Sequence, residues 1–220
     1  MPTFLDELFS PCLIKLPLPL PKPSFGHIFW APTYRAPQSL QYWIPTHVDA
    51  KMGSASDFNI GKLPKPFKPK AALYSPELAS TEEFLVVRAK LRPVILIAPP
   101  DPVLATIPSQ GRKVAHNLGP VALSFSAVNK AGYSKFHPTF IQRVRVLEYP
   151  QFLFLPAGGP LEVDSLIRFD ELQSIAESNL QATGYALNDD LISVLKSQLC
   201  FLLAGLAGQA FQDWASELKK

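Results

Sequence analysis

Proline constrains this chain more than any other residue type. Of its 23 prolines, 17 fall within residues 1–102. A proline fixes φ and removes a backbone donor, so this half of the chain is expected to avoid regular helices and central strands and to be largely extended and irregular. Leu16 to Pro23 alternates proline with other residues and reads as a polyproline-II arm. Gly61 to Lys70 is a second proline-rich stretch, in which Lys62, Lys65, Lys68 and Lys70 surround Phe67. Mutual repulsion of the lysines favours extension, and charge beside an aromatic ring is what tracks a single nucleic-acid strand; a solvated linker has the same composition. With 47% hydrophobic and 18% charged residues, the chain has ample apolar surface for a packed core. A net charge of +3 is too small to hold nucleic acid by charge alone, so any RNA contact must be local.

Hydrophobic patterning predicts a mainly β fold with a C-terminal helix. Gly26 to Trp30 is aromatic and β-branched, as strands are. Phe84 to Val87 leads through Arg88, Lys90 and Arg92 into Pro93 to Ala98, whose continuous apolar run suits a strand buried on both faces. Val121 to Phe125, Phe140 to Leu147 and Phe152 to Leu155 are further strand expectations, and Pro156 to Pro160 is a turn. Val163 to Phe169 has strand alternation, whereas Asp170 to Ile175 reads as a helical turn. A helix is predicted over 188–204. Asn188 is its N-cap, Asp189 and Asp190 face the positive end of the dipole, and Leu191, Val194, Leu195, Leu199 and Leu202 form one apolar stripe. Gly205 and Gly208 close it, leaving 211–220 as an amphipathic or frayed tail.

The domain plan that follows is a proline-rich arm at 1–24, a barrel domain at 25–210 with an insertion at about 31–83, and a tail at 211–220. Cys12 and Cys200 are too far apart for a zinc motif and too few for a secreted disulfide framework, which points to free thiols in a reducing compartment. No signal peptide is read in residues 1–24, since Lys15, Pro17 and Pro19 break the apolar run. The longest later apolar run, Leu199 to Gly208, is half of what a spanning helix needs. The expectation is a cytoplasmic protein without membrane association. Dinucleotide, Walker, nucleophile-elbow and zinc-protease fingerprints are all absent. His27, His47, His116 and His137 do not approach each other or a cysteine at ligand spacing, so neither a metal nor a cofactor is expected.

Arg92 stands just ahead of the most apolar strand, with Arg88 and Lys90 at two-residue spacing on the same side if the stretch is extended. Three cations on one edge make an anion pocket, and the planar fork of Arg92 matches a phosphate best. Solvated basic residues at a strand end are the alternative.

Several segments, in order, resemble the PemK/MazF family of toxin ribonucleases. Gly26-His27-Ile28-Phe29-Trp30 is similar to the family's opening strand, and Arg92-Pro93-Val94-Ile95-Leu96-Ile97 to its Arg-Pro strand. Gly159 through Ile175 resembles its last strand and short helix, with Asp164-Ser165 and Asp170-x-Leu172-x-x-Ile175 in place and one extra residue after the glycine. Leu180, Gly184 and Leu187-Asn188-Asp189 then lead into the closing helix. The resemblance implies an SH3-like barrel, usually a homodimer, that cuts single-stranded RNA without metal and is held in check by an antitoxin. It also implies an active site built from Arg92 and a hydroxyl of the third strand, for which Ser124 or Ser126 of Val121 to Ser126 is nearest. Arg88, Lys90, Lys65 and Lys68 are the candidate RNA-binding cations. His116 and His137 are candidates for the base or acid of 2′-hydroxyl attack. Two functions stay open: an endoribonuclease, and a barrel without catalysis that binds a protein partner.

Overall fold

The computed structural model describes residues 4–34, 41–49, 54–62, 87–98, 120–130, 133–205 and 209–218. The chain divides into two compact units, Met1–Thr33 with Leu91–Lys220, and Tyr34–Lys90.

The first unit is mainly β: a curled antiparallel half-barrel sheet closed by C-terminal helices. Its seven strands are β1 (Leu13–Lys15), β2 (His27–Tyr34), β5 (Ala89–Ala98), β6 (Val121–Ala127), β9 (Phe152–Leu155), β10 (Ser165–Ser174) and β11 (Gln181–Leu187). They lie in the order β1-β11-β2-β5-β6-β10-β9. The second unit contributes the antiparallel hairpin of β3 (Tyr42–Asp49) and β4 (Ser54–Gly61). A minor ribbon, β7 (Asn129–Lys130) with β8 (Tyr133–Ser134), follows β6.

The proline argument was too strict. β2 and β5 are both central strands, and each contains one proline, Pro32 and Pro93. Each proline lies just outside the register its strand shares with a neighbour: β2 pairs β11 from His27 to Trp30, and β5 pairs β6 from Val94 onward. No ladder bond on those sides is lost. In β3, Pro45 sits where the register with β4 shifts, as prolines in sheets do at bulges. The strand expected at 84–87 falls mostly on residues outside the described ones, as do Lys65, Lys68, Phe67 and His116.

Two further expectations are corrected. Residues 140–147 are not a strand; Pro138–Arg145 is helix α2, whose N-cap His137 accepts from the Thr139 amide at 3.3 Å. Proline is preset for the first helical position and the capping nitrogen takes up an orphan donor, so this start overrides the two-residue alternation further on. Asp170–Ile175 is not a helical turn; β10 continues through it to Ser174.

The main core lies between one face of the sheet and the C-terminal helices. Ile95, Leu123, Phe125, Leu153, Leu155 and Ile167 meet Leu191, Val194 and Leu195 of helix α3 (Asp189–Ala204). Asn188 caps α3 by accepting from the Leu191 amide at 2.8 Å, while its own amide donates to Phe9 O and Pro11 O. The helix ends at Gly205, where φ of +68° is left-handed. Leu199 packs only in part and Leu202 is 38% exposed, so the predicted stripe is buried in its first half alone. Helix α4 (Gln209–Glu217) follows, with Phe211 in the core. Residues 1–24 bring more than an extended arm: the short helix α1 (Leu5–Leu8) and β1 place Leu5 and Cys12 in the core. Arg145 clamps the Asp6 carboxylate through two bonds of 2.7 and 2.8 Å.

Candidate functional site

β5, β6 and β10 run side by side, and their registers place Val94, Ser124 and Arg168 opposite one another. Residues opposite each other share a face, and so do residues two apart on one strand. Arg92, Ser124, Ser126 and Arg168 therefore stand together on the sheet face turned away from the main core. Two small apolar clusters flank them, one built on Val94, Leu96, Ala122 and Ile175, the other on Val128, Val144, Phe154 and Leu166.

A bulge completes the site. Arg168 pairs with Ser124, but the next paired residue of β10, Leu172, faces Leu123. Phe169, Asp170 and Glu171 are thus accommodated while β6 advances by a single residue, and bulges re-aim side chains in this way. The Ser124 hydroxyl donates to Glu171 Oε2. Arg168 Nη1 lies 2.9 Å from Glu171 Oε1, and the same guanidinium holds Asp170 through Nε at 2.9 Å and through Nη2. The hydrogen bond to Asp170 raises the Arg168 pKa most, burial opposes it, and the charges of Glu171 and Asp170 add to the rise. Arg168 is a fixed cation at any ordinary pH.

Arg92 is half-buried, and its Nη1 reaches toward Phe125 O at 3.4 Å, a long contact. Ser124 is 1% exposed, and Ser126 is fully buried with no hydrogen-bond partner for its hydroxyl among the described residues. The two serines expected at the site thus lie on its face but beneath its surface. Arg88 precedes β5 and Lys90 is its second residue; both are exposed and belong to the Tyr34–Lys90 unit. His137 serves as a helix cap.

Arg168, Asp170 and Glu171 were missed from the sequence. The signal available was a charged trio inside the apolar stretch Leu166 to Ile175, but reading Asp170 onward as a helical turn took it out of the sheet. Among the described residues, no group of three acidic, histidine or cysteine side chains is disposed to hold a metal, and no helix is long and apolar enough to cross a membrane. A cavity of about 270 Å³ lies elsewhere, lined by Leu16, Leu20, Pro21, His27, Phe29 and Leu180 among others, and none of the row residues borders it.

No family model matches the chain, and no curated protein matches it in sequence. Any family reading rests on the motifs and on the geometry of this row.

Chemically, the row sets the Arg168 guanidinium against a carboxylate that it and a buried serine hold in place, with Arg92 on the same face two strands away. Guanidinium forks bind phosphate oxygens, and a positioned carboxylate accepts a proton.

Proposed function

We propose that the first unit is a PemK/MazF-type SH3-like barrel, a metal-independent endoribonuclease that cuts single-stranded RNA and works as a homodimer under control of an antitoxin. The observation that carries this reading is the polar row in which Ser124, Arg168 and the bulged Glu171, the last two within the 158–206 segment that is the specific part of the resemblance, share a sheet face with Arg92, two residues before Val94. Attack of a ribose 2′-hydroxyl on its own phosphodiester forms a 2′,3′-cyclic phosphate and breaks the bond to the 5′-oxygen. It needs a proton acceptor, cations on the non-bridging oxygens and a proton for the leaving oxygen, which solvent water supplies here. In this reading Glu171 accepts the proton, Arg92 and Arg168 bind the phosphate, and Ser124 orients the carboxylate from below. A phosphate entering the row exchanges with Asp170, whose side chain is half exposed, for the Arg168 fork.

The burial of Ser124 and Ser126 favours a second reading, in which the barrel has no catalytic role and binds a protein partner. One experiment separates the two. Purified protein is incubated with long single-stranded RNA in EDTA, and discrete cleavage products are expected. Arg92→Ala should lower the rate about a hundredfold, the usual loss of about 3 kcal/mol for a contact to transition-state charge. Arg92→Lys should restore only part of it, because a point charge does not reproduce the fork. Absence of cleavage by the wild type, or full activity in Arg92→Ala, sinks the nuclease reading and leaves the binding module.

A further inference from the structure

The row does not stop at β10. Arg168 is the register partner of Phe152 on β9, so the same sheet face passes from a cation to an aromatic ring one strand away, about 4.8 Å between backbones. Phe152 meets Phe140 of α2 edge-on at 5.4 Å. Phe140 in turn stacks on Phe136 at 5.4 Å and lies 5.1 Å from Tyr149. All four rings are half-buried, whereas Val128, Val144, Phe154 and Leu166 beneath them are buried. The rings therefore cap the cluster rather than fill it.

Two cations lie over these rings, and one of them, Arg143, is also paired with Glu148 at 2.5 Å. Lys135 Nζ lies 5.2 Å from the centre of Phe136, and the Arg143 guanidinium lies 4.7 Å from the centre of Tyr149. Proteins that hold single-stranded nucleic acid combine aromatic rings, on which unpaired bases stack, with cations that follow the backbone. Bases in a duplex are already stacked and offer no free face to such rings.

We infer that Phe136, Phe140, Tyr149 and Phe152 form a stacking platform for unpaired RNA bases, continuous with a phosphate seat at Arg92 and Arg168. The platform deepens the nuclease reading and rests on it for the identity of the seat. It gives the single-strand requirement already in that reading a place on the surface, at these four rings.

The test uses the full chain and a short labelled single-stranded DNA of mixed sequence, which lacks the 2′-hydroxyl and so cannot be cut by this route. Anisotropy at low salt should show binding, and Phe136→Leu and Tyr149→Leu should each weaken it about tenfold, within the range for loss of one base–aromatic stack. Leucine keeps a branched apolar side chain in place of the ring, and at Tyr149 it also removes the phenol hydroxyl. The same sequence as a duplex should bind no more tightly than the leucine variants bind the single strand. Should either variant fail to fold, photocrosslinking of bromodeoxyuridine DNA to the wild type decides, with adducts expected within residues 135–152. Leucine variants that bind as the wild type does, adducts confined to other segments, or no single-strand binding by the wild type would each overturn the platform. The two ideas fail separately. Ring-dependent DNA binding without RNA cleavage removes the nuclease alone, and RNA cleavage with ring-independent binding removes the platform alone.

Discussion

Along β5, β6 and β10, successive residues go to opposite faces of one sheet, and the faces differ in kind. Ile95, Leu123, Phe125 and Ile167 close against α3 in a continuous apolar core. One position along, Ser124 and Arg168 stand with Glu171 on the other face, between two small apolar clusters. A buried or half-buried row of hydroxyl, carboxylate and guanidinium seldom stabilises a fold more than well-packed apolar side chains of the same size would. The first face accounts for stability; the second gives up packing, and positions charge.

That division is broken most directly from the core side. Leu195 is fully buried and belongs to the main cluster. Leu195→Ala should lower unfolding free energy in urea by about 2–5 kcal/mol, the range for removing a buried leucine side chain, while on the nuclease proposal the folded fraction cleaves RNA at an unchanged rate. A loss below about 1 kcal/mol would mean that α3 does not close the core.

From the other face, the nuclease proposal expects Glu171→Gln to lower cleavage about a hundredfold, at the lower end of what a proton-transferring group contributes. The amide oxygen still accepts from Ser124, but the amide nitrogen then faces the Arg168 guanidinium and the ion pair is lost, so the urea midpoint should fall as well and cleavage is compared per folded molecule. Unchanged cleavage in Glu171→Gln would return Glu171 to a purely structural role. Ser124→Ala removes a charge-assisted bond to the same carboxylate and should cost about 1.5–3 kcal/mol of stability, with a smaller effect on rate.

The sequence showed one face better than the other, for physical reasons. α3 was readable because its cap, acidic first turn and apolar spacing all agree, and agreement across levels is what marks a well-specified element. The apolar run from Val94 to Ala98 was readable because nothing but a buried strand suits it. α2 was lost because Ile141, Arg143, Arg145 and Leu147 mimic a strand period, while the decisive pair, His137 and Pro138, lies ahead of that window. Arg92 was visible as a cation at the edge of an apolar block. Glu171 was not, because its meeting with Ser124, 47 residues away, depends on a bulge that local patterning does not register.

Cys12 extends the comparison to the rim of the core. Burial, and next the charge of Asp6, push its thiol from 9.0 up to about 11. The folded chain then keeps a proton that the unfolded chain releases, so stability is intact below pH 9.0 and falls as pH rises toward about 11. Urea midpoints measured across that window should decline, and Cys12→Ala should flatten the decline. In the native protein, iodoacetamide should label the exposed Cys200 and leave Cys12 unmodified until the chain unfolds.

The smallest expected effect lies within the polar face itself. Ser126 shares that face with Ser124 but pairs opposite Leu166 rather than Arg168, and its hydroxyl is fully buried with no partner among the described residues. A buried polar group without a partner costs desolvation and returns nothing, so Ser126→Ala should leave stability within about 0.5 kcal/mol of the wild type or raise it by up to about 1 kcal/mol. Cleavage should be unchanged, because the hydroxyl hydrogen-bonds to neither Glu171 nor a guanidinium. If Ser126→Ala instead abolished cleavage while Ser124→Ala did not, the working end of the face would lie toward Leu166. The row through Ser124 and Glu171 would then be scaffold, and the division between a packing face and a charge-positioning face would have to be redrawn around Ser126.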